Sequence, residues 1–339
     1  MSGVTSFEQL QALFVKPEKT PARIKFGNPP GLPTFDESKV VVFGVPFDDT
    51  ATFGKGTSKG PEGMRHVSAR QIETFVFDEN VDVYEKTPVF DLGDLKLNAL
   101  LSEKERELLF SENAPESKHA AVLEKLEEVL SQFAALRHAT QFIRSRNKIP
   151  LMLGGEHTLS FWPLLALSKE NPVVIHFDAH RDAYNEYFGM KYCHTTWVHR
   201  YLEEARAPGT DFVQVGIRQG NKEEHDFANS SGIATFHTTH LRESPGEVVK
   251  WIKHKTKGRN VYVSFDIDAL DISYTPCTGT PEPFGLTPEE AVMVLKAIDS
   301  SATLIGADMT EVAVKNNDYR ESTTAVQLLL RLLARDYVK

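Results

Sequence analysis

The sequence predicts an α/β protein of three layers (α/β/α), with helices on both faces of a parallel sheet of about eight strands. Three observations carry this expectation. Short β-branched runs alternate with longer amphipathic segments from residue 39 onward. Several runs are apolar on both faces, as strands of a covered parallel sheet are. No break in composition marks a second domain, so residues 39–339 are expected to form a single domain behind an N-terminal extension, residues 1–38.

The extension includes the proline-rich stretch PEKTPARIKFGNPPGLP and is expected to lie over the domain or to help it assemble. Strands are then expected at 39–46 (KVVVFGVP), 88–91 (PVFD), 149–153 (IPLML), 172–177 (PVVIHF), 212–216 (FVQVG), 233–236 (IATF), 260–265 (NVYVSF) and 302–307 (ATLIGA). The clearest helix spans 117–147. There Val122, Leu126, Val129, Phe133 and Leu136 recur at three- and four-residue spacing and make an apolar stripe. Another opens at TPEE, where Thr287 caps, Pro288 suits the first helical position and Glu290 completes a capping box.

Composition narrows the function classes. The net charge of −9 repels phosphate backbones and anionic membrane surfaces, so neither nucleic acid nor membrane is an expected partner. No apolar run approaches the roughly 18 residues of a membrane helix. The N-terminus lacks a basic start followed by an apolar stretch, so no signal peptide is expected. Two cysteines, Cys193 and Cys277, make no disulfide framework, and a cytoplasmic location is expected. GKGTSKG (54–60) has the wrong glycine spacing for a dinucleotide loop and lacks the ending of a phosphate loop. No G-x-S-x-G elbow is present for a serine hydrolase. Cys193 precedes His194, but neighbours in an extended chain face opposite ways, against a thiol mechanism.

In such folds ligands bind at the carboxyl ends of the strands. Those ends read GVPFDD, DLGD, LGGEH, HFDAHRD, VGIRQG, SFDID and GADMTE. In HFDAHRD, alternation points Asp178, His180 and Asp182 the same way. SFDID does the same with Asp266 and Asp268. In LGGEH, two glycines allow close backbone approach before His157. Four carboxylates and two imidazoles at three strand ends repel and are costly to desolvate unless cations offset both terms. Two divalent ions sharing carboxylates fit six such donors, and oxygen-rich ligation without thiolate points to Mn²⁺-like ions, with Ni²⁺ or Co²⁺ as alternatives. His176 shares the parity of Asp178 but lies deeper in its strand, and reads as a packing or supporting residue.

GGEH, DAHRD and SFDIDALD together resemble the signature segments of the ureohydrolase family of arginases and agmatinases. KYCHTTWV (191–198), TPCTGTPEPFGLT (275–287), GADMTEV (306–312) and GVPFDDTATFGKGTSKGPEGMR (44–65) resemble further family segments, so the likeness runs from about residue 39 to the C-terminus. The resemblance implies an arginase/deacetylase-like fold and a binuclear metal hydrolase. In it a metal-bridging hydroxide attacks a guanidinium carbon and releases urea and an amine. One metal would be held by His157, Asp178, Asp182 and Asp266, and the other by Asp178, His180, Asp266 and Asp268. Asp182 would pass a proton to the leaving nitrogen, His194 would exchange protons with solvent, and Glu311 would bind the guanidinium. Asp271 would support the second cluster. The chain departs from the family at Ile272, where proline is usual, and at Thr195, where glycine is usual; with Thr196 and Trp197 the latter makes a bulkier wall. The loop AYNEYFGMKYC (183–193) resembles that of agmatinases. Glu186 could meet an amine tail and Lys191 a carboxylate. Agmatine, cleaved to putrescine and urea, ranks first as substrate, then guanidino acids such as 4-guanidinobutyrate, arginine, and guanidine or small alkylguanidines. A catalytically silent assembly module is the reading from another class. The resemblance also implies a homo-oligomer, trimer or hexamer.

Overall fold

The computed structural model describes residues 3–27, 33–111 and 113–339. Its strands are β1 (Phe14–Val15), β2 (Val40–Gly44), β3 (Phe75–Val76), β4 (Val81–Asp82), β5 (Val89–Leu95), β6 (Ile149–Leu153), β7 (Val173–Phe177), β8 (Phe212–Val215), β9 (Ala234–Phe236), β10 (Asn260–Asp266) and β11 (Thr303–Thr310). Nine form one sheet in the order β1-β5-β2-β6-β11-β10-β7-β8-β9, and β3 and β4 make a separate antiparallel hairpin. Every neighbouring pair of the large sheet is parallel except β1 with β5.

Alternation along the strands sorts the apolar residues into two cores. Val40, Val42, Leu151, Ile175, Val263 and Leu304 face the helices Pro288–Ala297 and Arg320–Leu333. Val41, Phe43, Met152, Val174, Tyr262 and Ile305 face the layer that includes Glu116–Ser131, Ala134–Ser145, Phe161–Leu167 and Trp197–Ala205. Helices on both faces of a mostly parallel sheet are the three-layer architecture the alternation predicts. Thr287 caps its helix as expected, its hydroxyl taking the Glu290 amide.

Three details differ from the sequence reading. The ninth strand, β1, comes from within residues 1–38 and pairs Phe14 with Leu95 and Val15 with Asp94. Two residues are too few to show an alternation. Gly93, at φ +93°, permits this approach, because a Cβ there would strike the carbonyl oxygen of Val15. Residues 1–2 and 28–32 of the expected extension lie outside the described residues. Second, the stripe at 117–147 is two helices, Glu116–Ser131 and Ala134–Ser145. The chain turns at Gln132–Phe133, where the Gln132 amide donates to the carbonyls of Val129 and Ala99 and Phe133 packs edge-on to Phe47 (4.8 Å). The apolar spacing continues through the turn and hides it. Third, β5 runs through DLGD, and its acids serve an ion pair. The fully buried Arg65 guanidinium donates to both oxygens of Asp91 (2.8 and 3.0 Å) and to Asp94 (2.5 Å).

The sheet order sets β6, β11, β10 and β7 side by side. Their carboxyl ends lead into His157, Glu311, Asp266–Asp268 and Asp178–Asp182, which is where the site lies. No described helix is long and apolar enough to cross a membrane.

Candidate metal centre and substrate cavity

The four strand ends bring the expected donors together. Three carboxylate oxygens surround His157 Nδ1: Asp178 at 3.1 Å, Asp266 at 3.1 Å and Asp182 at 3.3 Å. His180 Nδ1 lies 3.1 Å from Asp268 Oδ2 and 3.5 Å from Asp178 Oδ1. Among the described residues two groups of donor atoms are compact enough to share a cation, His157–His176–Asp178–Asp182 and Asp178–His180–Asp268, with Asp178 common to both. The first includes His176, which spacing alone could not place. Its Nε2 is 2.8 Å from Asp178 Oδ2 and its Nδ1 meets the Gln214 amide at 3.3 Å. Asp266 borders the same space, while its Oδ1 accepts the Asp268 amide at 2.8 Å.

The electrostatics show what this costs. Burial raises Asp266, and the charges of Asp268 and Asp178 push it further, well above the usual carboxylate range. Burial and the Asp178 charge likewise raise Asp182. Burial opposes the ionised form of Asp178 too, yet hydrogen bonds from His157, His176 and His180 hold it well below that range. So many buried carboxylates, facing imidazole nitrogens and no thiolate, fit divalent cations.

A relay lies behind His157. Its Nε2 is 2.9 Å from Ser264 Oγ, which donates to Asp308 Oδ1 at 2.8 Å. Tyr262 donates to the other Asp308 oxygen at 2.6 Å. Such a chain fixes the tautomer and leaves Nδ1 free for a cation. Sheet register assembles it, since β10 sets Ser264 against Asp308 on β11 and His176 on β7. The relay was missed in the sequence; Tyr262, Ser264 and Asp266 do share one parity, which is the signal that could have found it.

Above the donors is a cavity of about 330 Å³, within the usual range for small-molecule sites. His157, His180, Asp182, His194, Asp266 and Glu311 all line it. Glu311 sits at φ +59° and Asp182 at φ +52°, backbone positions that a non-glycine residue holds only under constraint. The Glu311 Oε1 takes the His157 amide at 2.7 Å, and no basic side chain pairs with it among the described residues. Burial and the nearby Glu156 push its carboxyl well above the usual range. Glu156, quoted in GGEH but given no role by the sequence, is itself raised to about 8 by burial and accepts the amide and hydroxyl of Thr50. Thr50 Oγ1 in turn accepts the His194 amide at 3.3 Å. Burial lowers His194 to about 3 and so keeps it neutral. Its Nε2 is 3.4 Å from Thr52 Oγ1.

Thr195 lines the cavity, whereas Trp197 lies beneath it. Glu186 and Lys191 are exposed, and Lys191 reaches toward Glu204 (3.9 Å). In their place the structure brings Glu224, which the sequence did not single out. It accepts the amides of Ala183 (3.1 Å) and Asn221 (3.2 Å), and burial raises it to about 7. Tyr184 and Tyr187 share the lining with it. Asp271 holds the turn after β10, accepting the amides of Ser273 (3.0 Å) and Gly285 (3.1 Å), with Ile272 half exposed beside it. Cys193 and Cys277 are free thiols.

Comparison with known proteins agrees with this geometry. The model of the arginase family matches residues 38–334. An agmatinase from Bacillus cereus is 32% identical over 312 residues, covering 91% of this chain and 94% of its own. An N(1)-aminopropylagmatine ureohydrolase from Thermus thermophilus is 30% identical over 305 residues, covering 87% and 89%. In fold, the agmatine ureohydrolase of Thermoplasma volcanium superposes with a TM-score of 0.74 at 23% identity, covering 98% of both chains.

Proposed function

The chain belongs to the arginase family of metal-dependent hydrolases acting on guanidino C–N bonds, and we propose that it hydrolyses agmatine to putrescine and urea. The lining of the cavity carries the choice of substrate. Among the described residues Glu224 is its only carboxylate away from the donor cluster and Glu311, and no lysine or arginine is in the lining. A carboxylate tail, as in 4-guanidinobutyrate or arginine, would meet no fixed positive charge there. An ammonium tail would meet Glu224 and the two tyrosines.

In this reading His157, Asp178, Asp182 and Asp266 would hold one cation, with His176 beside them, and Asp178, His180, Asp266 and Asp268 would hold the other. Two divalent cations, Mn²⁺ first and Ni²⁺ or Co²⁺ by the same donors, would supply activated water at neutral pH and stabilise developing charge. Glu311 binds and orients the planar guanidinium through charge-assisted hydrogen bonds. Asp182 carries a proton from the attacking water to the leaving nitrogen as the C–N bond breaks. Neutral His194, held by Thr50 and Thr52, exchanges protons between cavity and solvent. The water oxygen ends in urea, and the amine leaves protonated.

Residues 39–339 supply all the site residues of one catalytic unit in this reading, and the extension 1–38 adds the edge strand β1 to its sheet. Two free cysteines support a cytoplasmic setting. The exposed Phe75 and Phe77 on the β3–β4 hairpin support assembly into a homo-oligomer.

Urea release tests the proposal, with metal-loaded protein offered agmatine, 4-guanidinobutyrate, arginine and guanidine. Agmatine is expected to give the highest kcat/KM. A preference for either acid would overturn the substrate, and no urea from any of them with two metals bound would overturn the reaction.

A further inference from the structure

We propose that Trp197 is a positioning residue for the metal centre, its indole N–H fixing the Asp182 carboxylate in the orientation that receives a cation. The inference rests on the metal-centre reading above.

Trp197 is buried and opens the helix Trp197–Ala205. Its Nε1–H donates to Asp182 Oδ2 at 2.9 Å. The next residue holds the other end, for the Val198 amide donates to the Asp182 carbonyl at 3.1 Å. Two consecutive residues therefore clamp Asp182 at its carboxylate and its backbone, and the backbone is the strained one at φ +52°. A residue stays in that region only where its surroundings over-determine it. The indole ring also lies against the imidazoles, 4.7 Å from the His157 centroid and 5.0 Å from that of His176, with Phe212 at 5.9 Å. One side chain thus touches three of the four donors of the first group.

The chemistry of indole suits this place. It has one donor and no acceptor, so it cannot take the cation for itself. Being neutral, it does not repel the cation as lysine or arginine would. A buried indole N–H needs an acceptor, and Asp182 is the one it has. The bond removes the carboxylate's freedom to rotate, which is how residues behind a ligand raise metal affinity. A phenylalanine at this position would keep the ring packing and lose only the donor.

The test is Trp197→Phe, with metal affinity read by chelator competition in the full chain. One of two equivalents is expected to bind about 10–100-fold more weakly, while the equivalent served by His180 and Asp268 keeps its affinity. In an Asp182→Asn background the same change should add nothing, since Trp197 acts through Asp182. Trp162→Phe, at another buried tryptophan, measures the effect of lost packing alone. A second measurement needs no folded variant. The three tryptophans give three indole ¹⁵N–¹H signals, and the Trp197 signal should move on Zn²⁺ addition while those of Trp162 and Trp251 stay. Wild-type affinity for both equivalents in folded Trp197→Phe, or an indole signal indifferent to metal, would overturn the inference. Two bound metals without urea release would sink the ureohydrolase reading and leave this one standing; a wild type that binds no metal would sink both.

Discussion

Glu321 offers the sharpest test of how the fold shapes the cavity. It sits buried in the first turn of the helix Arg320–Leu333, and one carboxylate collects three backbone amides. Oε1 accepts those of Cys277 and Thr278 (2.7 Å), and Oε2 accepts that of Ala313 (3.1 Å). Thr278 then donates to the carbonyl of Glu311 at 2.8 Å. Glu321 so ties the loop carrying Gly279 and Thr280 to the strand end carrying Glu311. Glutamine in its place keeps the volume and one acceptor oxygen, but turns an NH₂ toward the Ala313 amide. A buried amide left without an acceptor costs about 1–3 kcal/mol.

The wild-type carboxyl carries an opposing cost. Burial, only partly offset by the three amides, raises it from 4.5 to about 7. Below pH 4.5 both folded and unfolded chains hold the proton. Between pH 4.5 and 7 the unfolded chain releases it first, so the folded state loses up to roughly 3 kcal/mol as pH rises. Glutamine does not titrate. Urea unfolding of wild type and Glu321→Gln from pH 5 to 8 should therefore show the variant weaker by about 1–3 kcal/mol at pH 5, and the gap closing or reversing by pH 8. A gap that stays constant across this range would refute the burial argument.

Other tests follow from the same contacts. Asp268→Asn should weaken one metal equivalent and lower urea release by orders of magnitude; near-wild-type turnover with two bound metals would remove Asp268 from the ligand set. Stripping metal with a chelator should lower the unfolding temperature, because a cation at 100 times its Kd adds about 2.7 kcal/mol to the folded state; an unfolding temperature indifferent to chelator and metal would argue against a filled centre. Tyr262→Phe deletes a donor to buried Asp308 and is expected to cost about 1.5–3 kcal/mol in urea unfolding; a loss below about 0.5 kcal/mol would mean that the relay behind His157 does not depend on Tyr262. Arg65→Leu strands Asp91 and Asp94 and should cost about 3–5 kcal/mol or prevent folding, seen by circular dichroism; a fully stable variant would show the pair to be replaceable.

The sequence by itself determined the layers and the place of the chemistry. Strand runs apolar on both faces demand helices above and below, and the acid and histidine cluster marked the carboxyl end of β7, although the strand stops at Phe177 and Asp178, His180 and Asp182 lie in the loop beyond it, with Asp182 at φ +52°. Those are local rules, readable from spacing. Tertiary structure decided whatever depends on which strands are neighbours. Spacing alone left His176 undecided; it meets Asp178 two residues on, and register with β8 set its other nitrogen against Gln214. DLGD has the same look as the other acidic strand ends, yet its carboxylates face Arg65 across 26 and 29 residues of chain. Glu224, rather than the nearby Glu186, reaches the cavity because the helix Lys222–Ser231 returns it beneath Ala183. Trp197 looked in sequence like bulk in the cavity wall, and only the packed structure turned its N–H onto Asp182. Apart from the bond of His176 to its near neighbour Asp178, each joins segments separated along the chain, and no periodicity within either segment encodes the distance between them.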